Sequence, residues 1–161
     1  MNELEELIAN GFEGFVPVWK IRCDISAVPQ INGVYVLFRT GKTSLRFLET
    51  GNGGYFRGRN PNVCVDILQS NIVPESNIMY IGKAKKTTCS DLRKRVWAML
   101  RFGTGHKSSH RGGRYVWQLE DAEQLLIAWK EIDGDAEAYE KSILIAYKAK
   151  HGKYPFANLR L

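Results

Sequence analysis

One stretch of the sequence, NIMYIGKAKKTTCSDLRKRVW at residues 77–97, limits the choice of fold more than any other. It begins as an apolar strand, breaks at Gly82, and enters a helix that Ser90 or Asp91 can cap. We expect this helix to continue to about Arg101 and to pack an apolar stripe against the strand. Because four lysines and two arginines lie in the same stretch, it is either a solvated surface corner or a place where a polyanion binds.

The composition of the chain fits one basic domain. Its 161 residues carry 23 lysines and arginines against 17 aspartates and glutamates, and the net charge of +6 favours a polyanionic partner. Cys23, Cys64 and Cys89 form no CxxC pair, which indicates neither a disulfide framework nor a zinc knuckle. The N-terminus is acidic where a signal peptide is positive, and no apolar run reaches the length of a membrane span. We therefore expect a soluble, cytoplasmic protein with no membrane partner.

The rest of the chain divides into expected strands and helices. NGVYVLFR at 32–39 is a strand with Tyr35 and Leu37 on one face and three apolar side chains on the other. Further strands are expected at 15–21, 44–49, 77–82 and 125–132. Helices are expected at 3–9 and 135–152, with a helical turn at 114–119. The apolar run at 63–70 fits neither class clearly.

Two glycine-rich segments resemble nucleotide-binding loops without matching them. GKTS at 41–44 lacks the required glycine five residues earlier, where Val36 stands, and no helix follows it. GNGGYFRG at 51–58 lacks the spacing of a dinucleotide fingerprint. Arg57 and Arg59 lie beside two aromatic residues, so this segment is either an ordinary hairpin loop or a nucleic-acid contact.

The long helix at 135–152 contains an unusual carboxylate. At 100° per residue, Glu140 falls within the apolar stripe of this helix. The stripe consists of Ala136, Tyr139, Ile143, Leu144 and Tyr147. Since burying an unpaired charge is unfavourable, Glu140 needs a cation, a metal ion or a hydrogen-bond network, or it stays protonated. The alternative is a glutamate at the edge of the stripe that pairs with a lysine.

Several motifs occur in a recognisable order. They are GVY at 33–35, YIGKA at 80–84, an LxxRV helix at 92–96, the helical Glu140 and the near-terminal Asn158. Together they resemble the GIY-YIG nuclease superfamily, and the stretch YIGKAKxxxxxxLRKRV is similar to the nuclease domain of bacterial excision-repair C subunits. The resemblance covers about residues 31–158.

The resemblance implies a single α+β domain with a small antiparallel central sheet flanked by helices. Residues 1–29 are then an N-terminal extension, and about 40–76 form an insertion between the two tyrosine motifs. Motif position assigns the catalytic residues Tyr35, Tyr80, Lys83, Arg95, His110, Glu140 and Asn158. Glu140 becomes the ligand of a Mg²⁺ or Mn²⁺ ion, and His110 is chosen over His106. Only the motif register selects Arg95, because Arg93 flanks the apolar stripe of the same helix equally well.

The predicted function is therefore metal-dependent endonuclease activity on DNA, in repair or restriction, with RNA not excluded and a homodimer compatible. The residues expected to bind nucleic acid outside the catalytic set are Lys85, Lys86, Arg93, Arg57 and Arg59. One alternative is a nucleic-acid-binding module of the same fold that has lost catalysis. A metabolic enzyme for a small phosphorylated substrate is disfavoured, since neither glycine-rich segment matches a nucleotide-binding loop.

Overall fold

The computed structural model describes residues 1–108 and 111–160. The helices are α1 (Glu3–Ala9), α2 (Val18–Cys23), α3 (Val65–Ser70), α4 (Leu92–Phe102) and α5 (Ala136–His151). The strands are β1 (Glu13–Pro17), β2 (Gly33–Phe38), β3 (Ile78–Ala84) and β4 (Leu126–Glu131). Short 3₁₀ turns lie at Ile25–Ala27, Phe56–Gly58, Arg114–Gln118 and Ala122–Gln124. None of the helices in this described part of the chain has the length and apolar character needed to cross a bilayer.

The strands form one antiparallel sheet in the order β1-β4-β2-β3, which confirms the expected α+β class and its antiparallel sheet. β2 is central and buried along its whole length. Its alternation is the predicted one, since Tyr35 and Leu37 pack into one core cluster and Val34 and Val36 into another. Helix α4 lies on the Tyr35 face, whereas α1 and α5 cover the opposite face.

The helices flanking the motifs end where sequence rules place them. Asp91 caps α4 by accepting a hydrogen bond from the Lys94 N–H at 2.9 Å. Asp135 caps α5 in the same way, and Gly152 ends that helix with a φ of 80°. Both expected helices are thereby confirmed, and they hold the arginine and the glutamate of the predicted catalytic set.

Two sequence expectations about local structure need correction, and one run left unassigned by the sequence forms a helix. The strand expected at 15–21 stops at Pro17, because proline donates no ladder hydrogen bond and readily precedes a helix, here α2. The strand expected at 44–49 forms only an isolated bridge between Phe47 and Leu119. The unassigned run at 63–70 contains the helix α3.

The insertion at 40–76 is held by backbone hydrogen bonds around the Phe47–Leu119 bridge and by the side chain of Gln118. The buried Gln118 amide donates to the Leu48 carbonyl at 3.1 Å and to the Val63 carbonyl at 2.9 Å. Its carbonyl oxygen accepts from the Val63 N–H at 2.9 Å. These contacts fix the insertion against the 3₁₀ turn at Arg114–Gln118 and add to the short backbone pairing there.

Candidate active site

The two motif tyrosines lie side by side on one face of the sheet. Tyr35 on β2 and Tyr80 on β3 are both buried, and their ring centroids are 6.0 Å apart. The antiparallel register places Tyr35 opposite Gly82 and Leu37 opposite Tyr80. Pairing of β2 with β3 therefore brings the two sequence triplets together.

The glycine of the second triplet makes room for the tyrosine of the first. A Cβ atom added at Gly82 would lie 2.5 Å from Cζ of Tyr35 and 2.6 Å from its hydroxyl oxygen. Such distances are not compatible with a packed side chain, so the ring of Tyr35 lies across the space that a larger residue would fill. The glycine is thus a packing requirement of the tyrosine pair.

Gly82→Ala should displace Tyr35 and destabilise the fold by about 1–3 kcal/mol. Without a clash, alanine in a strand would instead gain about 0.5–1 kcal/mol over glycine. Urea unfolding of Gly82→Ala in the parent chain and in a Tyr35→Leu background measures this difference. The cost should be much smaller in the Tyr35→Leu background; an equal cost in both would show that the ring of Tyr35 is not responsible.

A lysine and two glutamates meet on the other face of β3. Lys83 Nζ lies 2.8 Å from Oε1 of Glu137 and 3.5 Å from Oε2 of Glu140. The Glu140 side chain is only 14% exposed, whereas that of Glu137 is 55% exposed. Glu140 therefore combines the two alternatives given by the sequence. Its side chain is shielded within the apolar stripe, and it also pairs with a lysine.

Burial sets the protonation chemistry of this cluster. It raises the pKa of Glu140, against the opposing effects of the Lys83 charge and hydrogen bond. Burial lowers the pKa of Lys83, but the Glu137 hydrogen bond and the Glu140 charge outweigh it, so the net shift is upward. Lys83 is consequently a cation at neutral pH and not a base in this arrangement.

The two arginines that sequence periodicity could not separate have different surroundings. The Arg93 guanidinium donates to the Val28 carbonyl at 2.7 Å and to the Ser26 carbonyl at 3.3 Å, which ties α4 to the preceding turn. Arg95 is half-buried and lines the same pocket as Lys83, and its guanidinium donates no hydrogen bond to any residue in the described part of the chain. Its charge acts on both motif tyrosines and on Glu140. Arg95 is thus the arginine of α4 that lines the Lys83 pocket with guanidinium donors left unused by the described residues.

Neither tyrosine ionises at neutral pH. Burial raises the pKa of Tyr80 to about 12, with the Arg95 charge acting in the opposite direction. Burial, followed by the neighbouring Tyr80, raises the pKa of Tyr35 well above its usual range. Both hydroxyls are therefore hydrogen-bond donors and acceptors rather than ready proton acceptors.

Asn158 pairs with the backbone of the second triplet. Its carbonyl oxygen accepts from the Ile81 N–H at 2.9 Å, and its amide donates to the Ile81 carbonyl at 2.8 Å. The neighbouring Ala157 N–H donates to the Met79 carbonyl at 2.8 Å. This arrangement gives Asn158 a positioning role, because both ends of its amide are bonded to β3.

The exposed residues among the predicted nucleic-acid contacts divide between the turn after β3 and a loop of the insertion. Lys85 lines a pocket of about 690 Å³ together with Arg95, and Lys86 is exposed in the same turn. Arg57 and Arg59 are exposed on a loop that Arg111 joins through a 3.2 Å hydrogen bond to the Asn60 carbonyl. The chosen histidine, His110, lies outside the described residues. His106 is exposed near the outer face of α4.

Sequence reasoning missed the arginines on either side of a glycine that packs on Tyr80. Arg111 and Arg114 flank the pair at 112–113, and an added Cβ at Gly113 would lie 3.2 Å from Cδ2 of Tyr80. Burial and the charges of Arg111 and Arg160 lower the pKa of Arg114. The repeated arginines of RGGR at 111–114 were a usable signal, as was the three-residue spacing that places Glu137 beside Glu140.

The donor set suits a weakly coordinated divalent cation. Within residues 1–108 and 111–160 there is no group of three or more His, Cys, Asp or Glu side chains arranged for a metal. Magnesium needs fewer protein ligands than such a group provides, because it keeps several waters and binds through one or two carboxylates and substrate phosphates. Glu140 fits this requirement, since Lys83 pairs more closely with Glu137 and leaves the Glu140 carboxylate incompletely neutralised.

Comparison of the chain with protein-family models, with curated proteins and with solved structures finds no match. The family resemblance therefore rests on the motif residues of the sequence.

Proposed function

We propose that this protein is a GIY-YIG-type endonuclease that hydrolyses DNA phosphodiester bonds with Mg²⁺ or Mn²⁺. The observation that carries the proposal is the uncommitted Arg95 guanidinium, which shares electrostatic coupling with the shielded Glu140 and with two buried tyrosines. A structural ion-pair network alone would use the donors of Arg95, as Arg39 and Arg22 use theirs with Asp121 and Glu123.

Each residue has a chemical reason to be in this group. Arg95 offers a fixed fork of donors to phosphate oxygens and keeps its charge at every working pH. Glu140 would hold the divalent cation, which when bound would supply positive charge to the phosphate and help to activate water. Lys83 balances the two carboxylates, so that Glu140 can remain ionised in a shielded position.

The tyrosines act through their hydroxyl groups without ionising. Because the pKa of Tyr80 is about 12, its hydroxyl orients the attacking water or a phosphate oxygen by hydrogen bonding. Tyr35 is buried behind it and fixes the ring of Tyr80 from the neighbouring strand. The pair thus excludes bulk water on one side of the reacting phosphate.

DNA binding should depend on phosphate contacts from the basic turn that follows β3. Lys85 and Lys86 are accessible there, so the double change Lys85→Ala/Lys86→Ala should reduce the slope of log K against log salt concentration by about 2. Arg93→Ala should change the slope less, since the Arg93 guanidinium is bound to backbone carbonyls. Fluorescence anisotropy with a labelled duplex over a salt series measures these slopes, and a flat dependence in the parent chain would contradict phosphate binding at this turn.

Plasmid cleavage tests the enzyme against the alternative of a binding module. Supercoiled plasmid incubated with the protein and Mg²⁺ or Mn²⁺ should become nicked or linear, and excess chelator should prevent this. Binding without cleavage under all metal conditions would favour the inactive module instead. Parallel reactions with duplex RNA establish the preference between the two nucleic acids.

A further inference from the structure

The outer face of α4 presents an exposed tryptophan among cations. Lys94, Trp97 and Arg101 are spaced by three and four residues, so they share one side of the helix. The Trp97 side of α4 points away from the core, and this residue is 39% exposed although tryptophan is usually well buried. Packing within the chain does not account for its presence.

The surroundings of Trp97 are wholly cationic or neutral. A shallow depression of about 440 Å³ beside it is lined by Lys94, Trp97, Ala98, Arg101, His106, Lys107 and Ser108. Lys94, Arg101 and Lys107 form no ion pair with any acidic side chain in the described ranges. The charge of this face is therefore left for an external anion, as in a nucleic-acid surface.

This face is continuous with the candidate active site. Lys94 Nζ donates to the Cys89 carbonyl at 3.3 Å, at the end of the basic turn whose Ser90 lines the pocket of Arg95. From Lys94 to Arg101 the helix rises about 10 Å. That length corresponds to about three nucleotide steps at the 3.4 Å spacing of a duplex strand.

The indole points to a particular kind of nucleic acid. Lysine and arginine suffice to bind phosphates, whereas an exposed aromatic ring adds affinity by stacking on a base. Bases within an intact duplex already stack on each other, so an unpaired base is the natural partner of Trp97. We propose that the outer face of α4 binds an unpaired segment of the nucleic acid, with Trp97 stacked on one base and Lys94 and Arg101 on flanking phosphates. This inference rests on the proposed nuclease function and adds to it a preference for DNA with a single-stranded element.

Binding in the presence of chelator tests the inference without interference from cleavage. The probes are a labelled blunt duplex and the same duplex extended by a five-nucleotide single strand. Trp97→Ala should weaken binding of the extended duplex about five- to a hundredfold, as expected for one lost stacked base, and should leave the blunt duplex unchanged. Trp97→Phe should restore most of the affinity, because it keeps an aromatic face.

Trp19→Ala is the matched control, since Trp19 on α2 is also exposed, at 48%, but lies outside this face. It should bind both probes like the parent chain. If Trp97→Ala binds both probes normally, or weakens both equally, the inference is overturned. If the inference fails in this way but Trp97→Ala still cleaves plasmid, the proposed nuclease function stands. Absence of plasmid cleavage by the parent chain would instead count against the nuclease function.

Discussion

Glu140→Gln is expected to fold, to bind DNA and to lose cleavage by at least about 100-fold, because it removes the charge that holds the metal. Glutamine has the size of glutamate, so the packing of Glu140 in the α5 stripe is kept. Binding should be unchanged or tighter, since a negative charge near the phosphate disappears. Cleavage rate against Mg²⁺ and Mn²⁺ concentration, measured beside affinity in chelator, separates loss of metal from loss of substrate.

Glu137→Gln is the matched control for this substitution. Glu137 lies one turn earlier on α5 and forms the shorter contact with Lys83, but it is largely exposed. Its loss should leave cleavage within a few-fold of the parent rate. Full activity in Glu140→Gln would overturn the metal-nuclease mechanism, and equal loss in both variants would mean that the shared ion pair with Lys83 is what matters.

Glu140→Gln should also change the stability of the fold in a way that depends on pH. The pKa of Glu140 in the fold is raised above its ordinary value, so the fold disfavours the ionised carboxylate. That penalty is complete above the raised pKa and vanishes as the pH falls below the unfolded value of about 4.3. Glu140→Gln should therefore unfold at a higher temperature than the parent chain at neutral pH and lose this advantage in acid. Cleavage by the parent chain should decline over the same acid range as Glu140 becomes protonated.

Arg95→Ala is expected to reduce the cleavage rate about 100- to 1,000-fold with little effect on DNA affinity, because its donors act on charge that develops in the transition state. Arg95→Lys keeps the charge but loses the planar fork, so it should remain impaired by at least about tenfold. Single-turnover rates at saturating enzyme, compared with dissociation constants in chelator, separate the two contributions.

Arg93→Ala provides the contrast on the same helix. Its hydrogen bonds to the Val28 and Ser26 carbonyls stabilise the fold, so its loss should cost about 1–3 kcal/mol of unfolding free energy. The rate per folded molecule should change far less than in Arg95→Ala. An inactive Arg93→Ala with a normal Arg95→Ala would show that the motif register is wrong.

The parts of the fold that were predictable are those with strong periodicity or caps. The alternation in β2 and the helical stripe of α5 each depend on local spacing, and that spacing placed Tyr35 and Glu140 correctly in relation to the core. Asp91 and Gly152 are local signals as well. The insertion was not predictable in this way, because the Gln118 amide that holds it is 55 residues from the Val63 backbone in sequence.

In the candidate site, too, some features follow from local sequence signals and others from contacts between distant segments. Sequence order suggested the members of the set, but the choice between Arg93 and Arg95 depends on which carbonyls lie near the N-terminal half of α4. The exposure of Trp97, by contrast, follows from local spacing, because at 100° per residue it lies outside the stripe of Leu92, Val96, Met99 and Leu100 that packs into the core. The partners of Arg93 come from packing between segments that are distant along the chain.

The pairing of Asn158 and Ala157 with β3 also determines how copies of this protein can meet. β3 is an outer strand of the sheet, and unpaired backbone groups on such a strand invite another chain to add to it. The C-terminal segment already occupies Met79 and Ile81, while the opposite outer strand, β1, is interrupted by a bulge after Gly14 and ends at Pro17. These features disfavour extension of the sheet from one molecule to the next at both edges, so self-association of this fold is expected to use helices or loops.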